Sequence, residues 1–408
     1  MSFEVAMVGI AMLIVIGILL HHPSKSLGLP SLLIFIGVGL ALGNGEFDFV
    51  YDNLQLTSLV GGVALNIIVF VGGLNTSTAK IKVAYKEGGI LSSLGVMLTT
   101  LIFGLILYGL LDFELITCLL FAAIVSSTDA AAVFSILESK KLKLKEQTDT
   151  VLEFESATND PVALLTVILL TDIALSSGGA QIVVSEILLM LSQQVIVGLA
   201  GGYLIGKLAV WSLNHIKLQE YGLIPVFILA SFIIATYGTD LLGGNILIAA
   251  YVVGVIIGNE LQRGKEVSKH FFNSLAWLAQ SLMFVVLGLQ IFPQQLWPVF
   301  IISILPALLL VFVARPLAVQ ICYLPFRRAS WRKRLFISAI GLKGATPIVF
   351  ALIPAAAGLA EGTQIIHMVF FMVLVSVLIQ GGAIEPLAKA LRLNDNVENS
   401  PPDKIERR

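Results

Sequence analysis

The chain has 408 residues, of which 57% are hydrophobic and 12% are charged, and its formal net charge is −1. Its mean hydropathy of +0.95 excludes a soluble globular domain, because about 25% of the residues in such domains are charged. The composition therefore predicts an all-α polytopic membrane protein, and the sequence contains no nucleic-acid-binding patch, nucleotide loop or zinc motif.

Thirteen apolar segments follow one another along the chain. About 20 residues of helix cross the hydrocarbon core of a bilayer, and helices satisfy every backbone hydrogen bond within the segment. We therefore predict thirteen transmembrane helices, at 4–20, 30–43, 58–74, 89–111, 115–137, 150–172, 182–212, 223–238, 246–259, 274–293, 297–324, 335–358 and 365–385.

The basic residues predict the orientation of these spans, because Lys and Arg accumulate in cytoplasmic loops. All of the 25 Lys and Arg residues except Lys207, Arg315 and Lys343 fall in alternate loops or in the tail. This pattern places the N-terminus outside and a short tail, 386–408, in the cytoplasm. The transmembrane domain is predicted to cover 1–385.

The odd number of spans suggests an internal repeat. The thirteen spans divide into six spans, one connecting span and six further spans. Corresponding helices of the two halves then run in opposite directions, as in inverted-topology transporters. The predicted repeats are 4–172 and 223–385, and the linker helix is 182–212.

The fifth and twelfth spans occupy corresponding positions, and both contain interruptions, at 126–130 and 341–347. Interrupted helices at matching positions of two repeats indicate a substrate site. If the two broken helices cross, the Asp129 carboxylate would stabilise their positive N-terminal ends, and the Lys343 ammonium would stabilise their negative C-terminal ends. The alternative is that both residues only neutralise helix dipoles and never touch the substrate.

The sixth span carries Glu153, Glu155 and Asp160. Each charge in mid-membrane costs about 2.5–3.5 kcal/mol to insert, so such groups usually mark an ion pathway. Glu155 points away from Asp160, towards a neighbouring helix, and Arg315 of the eleventh span is its leading partner because a guanidinium matches a carboxylate.

Asp160 is the predicted binding site for a monovalent cation and for a proton. Hard cations prefer oxygen ligands, which the Asn159 amide and the Ser156 or Thr128 hydroxyl could add to the carboxylate. The alternative is that the two hydroxyls only pack or bond to their own helices. Glu153 is predicted to be a structural or cytoplasmic-vestibule acid rather than a ligand.

These residues resemble the NhaP-type Na⁺/H⁺ and K⁺/H⁺ exchangers, the electroneutral branch of the cation/proton antiporter superfamily. The resemblance spans the chain and rests on Ser127-Thr128-Asp129, Glu155-Ser156, Asn159-Asp160-Pro161, Ala314-Arg315-Pro316 and Gly341-Leu342-Lys343-Gly344-Ala345. It implies that Asp160 is the shared carboxylate, Asn159 its partner, Thr128 and Ser156 candidate ligands, and Glu155 with Arg315 a structural ion pair. It also implies the antiporter fold and a homodimer in which a core bundle moves against an interface domain.

The expected function is one-for-one exchange of K⁺ or Na⁺ for H⁺ by alternating access in the inner cell membrane, with no catalytic residues and no cofactor. The alternative is a gated monovalent cation channel. Relatives associated with potassium often carry a cytosolic regulatory domain, and the short tail 386–408 predicts that this chain lacks it.

Overall fold

The computed structural model describes most of the chain. The described residues are 8, 11–12, 14–15, 18–19, 31–43, 51, 53–129, 133, 137, 142–176, 184–216 and 220–394. The described part of the first predicted span, 4–20, is helical.

Each of the other twelve predicted spans also contains a described helix. Eight of the described helices are long and apolar enough to cross a membrane. Their order confirms the prediction of an all-α polytopic membrane protein. The bounds are α1 Ser31–Leu42, α2 Leu54–Asn75, α3 Thr78–Tyr108, α4 Leu115–Ile124, α5 Thr148–Leu175, α6 Val184–His215, α7 Leu223–Leu241, α8 Ile246–Glu260, α9 Lys265–Leu289, α10 Pro293–Leu309 continuing through Leu310–Ala314 and Arg315–Cys322, α11 Trp331–Ala339, α12 Thr346–Ala356 and α13 Gly362–Ala390.

The fifth and twelfth predicted spans are both discontinuous. In the fifth, α4 ends at Ile124, residues 125–129 are not helical, and helical backbone is present again at Val133. In the twelfth, residues 340–345 separate α11 from α12. The predicted crossing of broken helices therefore has its two breaks in the expected places, whereas the repeat and linker boundaries stay predictions.

Two predicted spans start too late. The span 89–111 belongs to α3, which begins at Thr78. The span 274–293 belongs to α9, which begins at Lys265. Its first turns are polar on one face, so they lower the local hydropathy without ending the helix. The helix starts directly after Gly264, whose φ of 68° is a left-handed conformation that glycine adopts at little cost.

The described helices form two bundles. In one, α2 packs against α8 and α9, α6 packs against α7 and α8, and α1 packs against α9. In the other, α5 packs against α3 and α4, and α13 packs against α10 and α12. The main described contact between the bundles is that of α2 with α12. The broken helices and α5 thus belong to the same bundle.

Glycines set the distance between α2 and α8. The space that a Cβ would need at Gly73, Gly254 and Gly258 is occupied by backbone atoms of the facing helix. Small residues at such a contact let two membrane helices approach closely, so that van der Waals packing supplies the association that the hydrophobic effect cannot supply in lipid.

We predict that Gly254→Ala destabilises the protein although alanine favours helices. The new methyl group would meet the Phe70 carbonyl of α2, so the helices must separate, at a cost of about 1–3 kcal/mol. The midpoint of thermal unfolding in detergent should fall by several degrees. Gly72→Ala is the matched control, because nothing lies within 4 Å of its Cβ position, and an equal loss of stability in the two variants would refute the packing argument.

Candidate functional site

The two broken segments meet. The backbone N–H of Asp129 donates to the carbonyl of Leu342 at 2.8 Å. The Lys343 ammonium donates to the carbonyls of Ser126 and Ser127, at 3.2 and 2.8 Å. The non-helical backbone of each break is therefore bonded by the other, and the crossing is a defined structure within the bundle.

The charges at the crossing lie near helix ends of opposite sign. Lys343 contacts carbonyls just beyond the C-terminus of α4, where helix dipoles are negative. The Asp129 carboxylate lies against Gly344, in the space that a Cβ would fill, two residues before α12 begins. A direct role of Asp129 and Lys343 towards a substrate stays a prediction, and so does the alternative that they only neutralise the helix dipoles.

Thr128 connects the first break to α5. Asn159 Nδ2 donates to Thr128 Oγ1 at 2.6 Å, and Thr128 Oγ1 lies 2.8 Å from Ser156 Oγ in a hydroxyl–hydroxyl hydrogen bond. All three side chains are buried. The structure thus brings together three of the four predicted cation-site residues through contacts with one another.

Asp160 lies next to this network but is held by a residue that the sequence analysis did not assign. Its side chain is buried, and its Oδ2 accepts a hydrogen bond from Thr346 Oγ1 at 3.5 Å. Thr346 is the first residue of α12 and precedes Pro347. A hydroxyl at the start of a half-helix was a usable signal for a ligand, but the second break was analysed only for its charges.

Several oxygens at the site have no hydrogen-bond partner among the described residues. They are Asp160 Oδ1, Asn159 Oδ1 and Ser127 Oγ, and the Ser127 side chain faces the Asp160 carboxylate. A buried polar atom without a partner costs about 1–3 kcal/mol. A bound cation or a proton on the carboxylate would supply what these atoms lack.

Glu155 and Arg315 are in contact. Glu155 Oε1 lies 2.5 Å from Arg315 Nη2, and both side chains are buried. The guanidinium also lies against Gly341, where any larger residue would reduce its space. The pair joins α5 to α10 beside the second break, and its structural role stays a prediction.

Ser376 and Gln380 of α13 hold the second break in place. Ser376 Oγ accepts from the backbone N–H of Lys343 at 2.9 Å and donates to Gln380 Oε1 at 2.6 Å. Gln380 Nε2 donates to the carbonyl of Ala339, the last residue of α11, at 2.9 Å. The sequence analysis missed both residues, although two polar side chains four apart on an apolar helix share one face.

Glu153 lies outside the buried group. It pairs with Lys80 at 2.7 Å, and the Lys80 side chain is 45% exposed. A partly exposed ion pair of this kind agrees with the expectation of a vestibule acid rather than a cation ligand.

Comparison with known proteins gives a consistent result. The family model described as "Sodium/hydrogen exchanger, transmembrane" matches residues 10–390. The K⁺/H⁺ antiporter NhaP2 of Shewanella sp. (strain ANA-3) is 37% identical over 388 residues, which are 94% of this chain and 66% of that protein. The Na⁺/H⁺ antiporter NhaH of Halobacillus dabanensis is 26% identical over 413 residues, covering 96% of this chain and 99% of NhaH.

The fold also matches a solved structure. The sodium proton antiporter MjNhaP1 from Methanocaldococcus jannaschii at pH 8 superposes with a TM-score of 0.79 at 21% identity, covering 96% of this chain and 99% of MjNhaP1. This similarity confirms the antiporter fold. The chain spans about two thirds of the length of relatives such as NhaP2.

We predict that Glu155 and Arg315 are energetically coupled. Removing one partner leaves a buried charge without compensation and costs about 3–5 kcal/mol, whereas removing both costs much less. Glu155→Gln and Arg315→Gln should each lower the unfolding temperature, and the double variant should lose less stability than the two single losses added together. Thermal unfolding of the four proteins measures this, and strict additivity would show that the residues are independent.

Proposed function

Because the chain belongs to the transmembrane sodium/hydrogen exchanger family, we propose that it exchanges a monovalent cation for a proton across a membrane by alternating access. The cation and the proton compete for Asp160. The observation that carries this proposal is the buried Asp160 carboxylate, with one oxygen free of partners among the described residues, at the crossing of two broken helices.

The charges around Asp160 support a one-for-one stoichiometry. The buried charged residues described at the site are Asp129, Glu155, Asp160, Arg315 and Lys343. With every one of these described groups ionised, three carboxylates and two basic side chains leave one net negative charge. One bound monovalent cation or one proton neutralises this group. Because moving an uncompensated charge through lipid is costly, only the two loaded forms change their access readily.

Asn159 supports the same stoichiometry. Its amide keeps the oxygen and hydrogen-bond donor that the network with Thr128 uses, but it does not titrate. Asp160 is then the carboxyl that releases its proton when a cation binds.

Alternating access is proposed to come from a movement of one bundle against the other. The bundle that carries α5 and the two breaks moves against the bundle of α2 and α8. The main described contact between them is that of α2 with α12.

The transported ion is proposed to be K⁺ or Na⁺. The relative named a K⁺/H⁺ antiporter is 37% identical to this chain, and the one named a Na⁺/H⁺ antiporter is 26% identical, which supports K⁺ as the first candidate. Selectivity depends on the placement of the oxygen atoms and on how much water the ion keeps, so a series of cations is the appropriate test.

The remaining parts of the proposal come from the family resemblance and from the distribution of basic residues. We propose a homodimer in the inner cell membrane, with the N-terminus outside and the tail in the cytoplasm, and with neither a catalytic residue nor a cofactor. A gated channel, the alternative, needs a continuous water-filled path, whereas the buried site favours alternating access.

We predict that Asp160→Asn abolishes exchange without unfolding the protein. The amide matches the carboxylate in shape but neither carries a charge for the cation nor releases a proton in the working pH range. In proteoliposomes with a pH gradient, Li⁺, Na⁺, K⁺ or Rb⁺ should drive proton movement with the wild type and leave it at background with the variant.

Asp172→Asn is the matched control. Asp172 lies on the same helix α5 but is exposed, so its variant should keep wild-type exchange. Substantial cation-dependent proton flux with Asp160→Asn would exclude Asp160 as the shared site.

A further inference from the structure

A cavity of about 550 Å³ separates the two bundles on one side of the candidate site. Residues of α2, α7 and α8 line it on one side, and residues of α5 and α12 line it on the other. Gln55 and Ser58, near the N-terminus of α2, belong to its lining. The predicted orientation places that end of α2 outside.

Two of the helices that line the cavity, α5 and α12, also carry Asp160 and Thr346 of the candidate site. Leu164 lines the cavity and follows Asp160 by one helical turn on α5. Val349 also lines it and follows Thr346, the hydrogen-bond donor to Asp160, by nearly one turn on α12. On each of these two helices, a residue of the cavity lining is thus about one turn from a residue of the candidate site.

Asn66 of α2 is the buried polar residue of this lining. Its side chain is 4% exposed, and Asn66 Oδ1 has no hydrogen-bond partner among the described residues. It lies eight residues beyond Ser58, which is about 12 Å along a helix. Around it the lining is mostly apolar, with Leu65, Leu164 and Phe350 among its members. An amide oxygen left in such surroundings costs about 1–3 kcal/mol, so its presence calls for a ligand.

We propose that Asn66 Oδ1 is an oxygen ligand for the transported cation in the cavity, a binding subsite through which the partly hydrated ion passes on its way to Asp160. This inference rests on the proposed exchange. A neutral amide oxygen suits the task because it coordinates a hard cation without titrating. At Asn66 the ion replaces one of its water ligands by a protein oxygen before it reaches the carboxylate. The neighbouring lining residues are mostly apolar and provide few other oxygen ligands.

A subsite on one path affects transport from one face only. Losing the Asn66 oxygen slows loading from the face on which Gln55 and Ser58 lie. The maximal rate stays unchanged, because Asp160 and the moving bundle are untouched. Loading from the opposite face does not pass the cavity and stays at the wild-type value.

Asn66→Leu tests this in vesicles of defined orientation, with the cation supplied from one face at a time. The ratio of maximal rate to KM for the face of Gln55 should fall about fivefold, which corresponds to the loss of one modest polar contact. Asn66→Asp adds a negative oxygen ligand, so it should raise the same ratio, and it decides the question if the leucine variant does not fold.

Asn75→Leu is the matched control, since it makes the same substitution at the opposite end of α2, where Asn75 bonds to Asn273 on the surface. This variant should leave the ratio of maximal rate to KM unchanged for cation supplied from either face of the membrane. If the wild type is active and the Asn66 variants match it, or change both faces equally, the subsite is refuted while the exchange proposal stands. A wild type without any cation-driven proton movement would overturn the exchange proposal and this inference with it.

Discussion

The contact between the two broken helices is the interaction on which the rest of the site depends. Non-helical backbone at membrane depth is tolerated only where protein or water satisfies its polar groups. Here Lys343 bonds to the carbonyls of Ser126 and Ser127, and Asp129 bonds to the carbonyl of Leu342. The same contact positions Thr128, which binds Asn159 and Ser156, and it brings Thr346 to Asp160. Ser376 and Gln380 hold the second break from the other side.

The second constraint is electrostatic. Among the described residues, the buried group has one more carboxylate than basic side chains, a net charge that lipid disfavours. We propose that binding of either one cation or one proton removes that charge. Glu155 forms an ion pair with Arg315 at 2.5 Å, whereas the Asp160 carboxylate accepts a hydrogen bond from Thr346 and has no ion pair among the described residues. In the proposed mechanism, the competition between cation and proton follows from how this group is paired.

Much of this arrangement was predictable from the sequence, because polar residues in an apolar span are rare and each needs a partner. That rule predicted the two breaks and paired Glu155 with Arg315. It did not predict Thr346, Ser376 or Gln380 as contacts, since a hydroxyl or an amide in a helix has several possible partners, and only the packing of α13 and α12 decides among them. Asn66 escaped notice for the same reason: nothing in the sequence of α2 shows that its side chain faces a cavity.

The central claim is that one titrating carboxylate, Asp160, neutralises one cation or one proton per cycle. Recording on a solid-supported membrane tests it directly, because moving one elementary charge through 100 mV is worth about 2.3 kcal/mol and an electrogenic cycle produces a sustained current. One-for-one exchange predicts no sustained current from the wild type under a cation gradient, and a current from Asn159→Asp, which adds a second carboxylate beside Asp160. Wild-type exchange that an imposed potential accelerates or reverses at fixed ion gradients would contradict it.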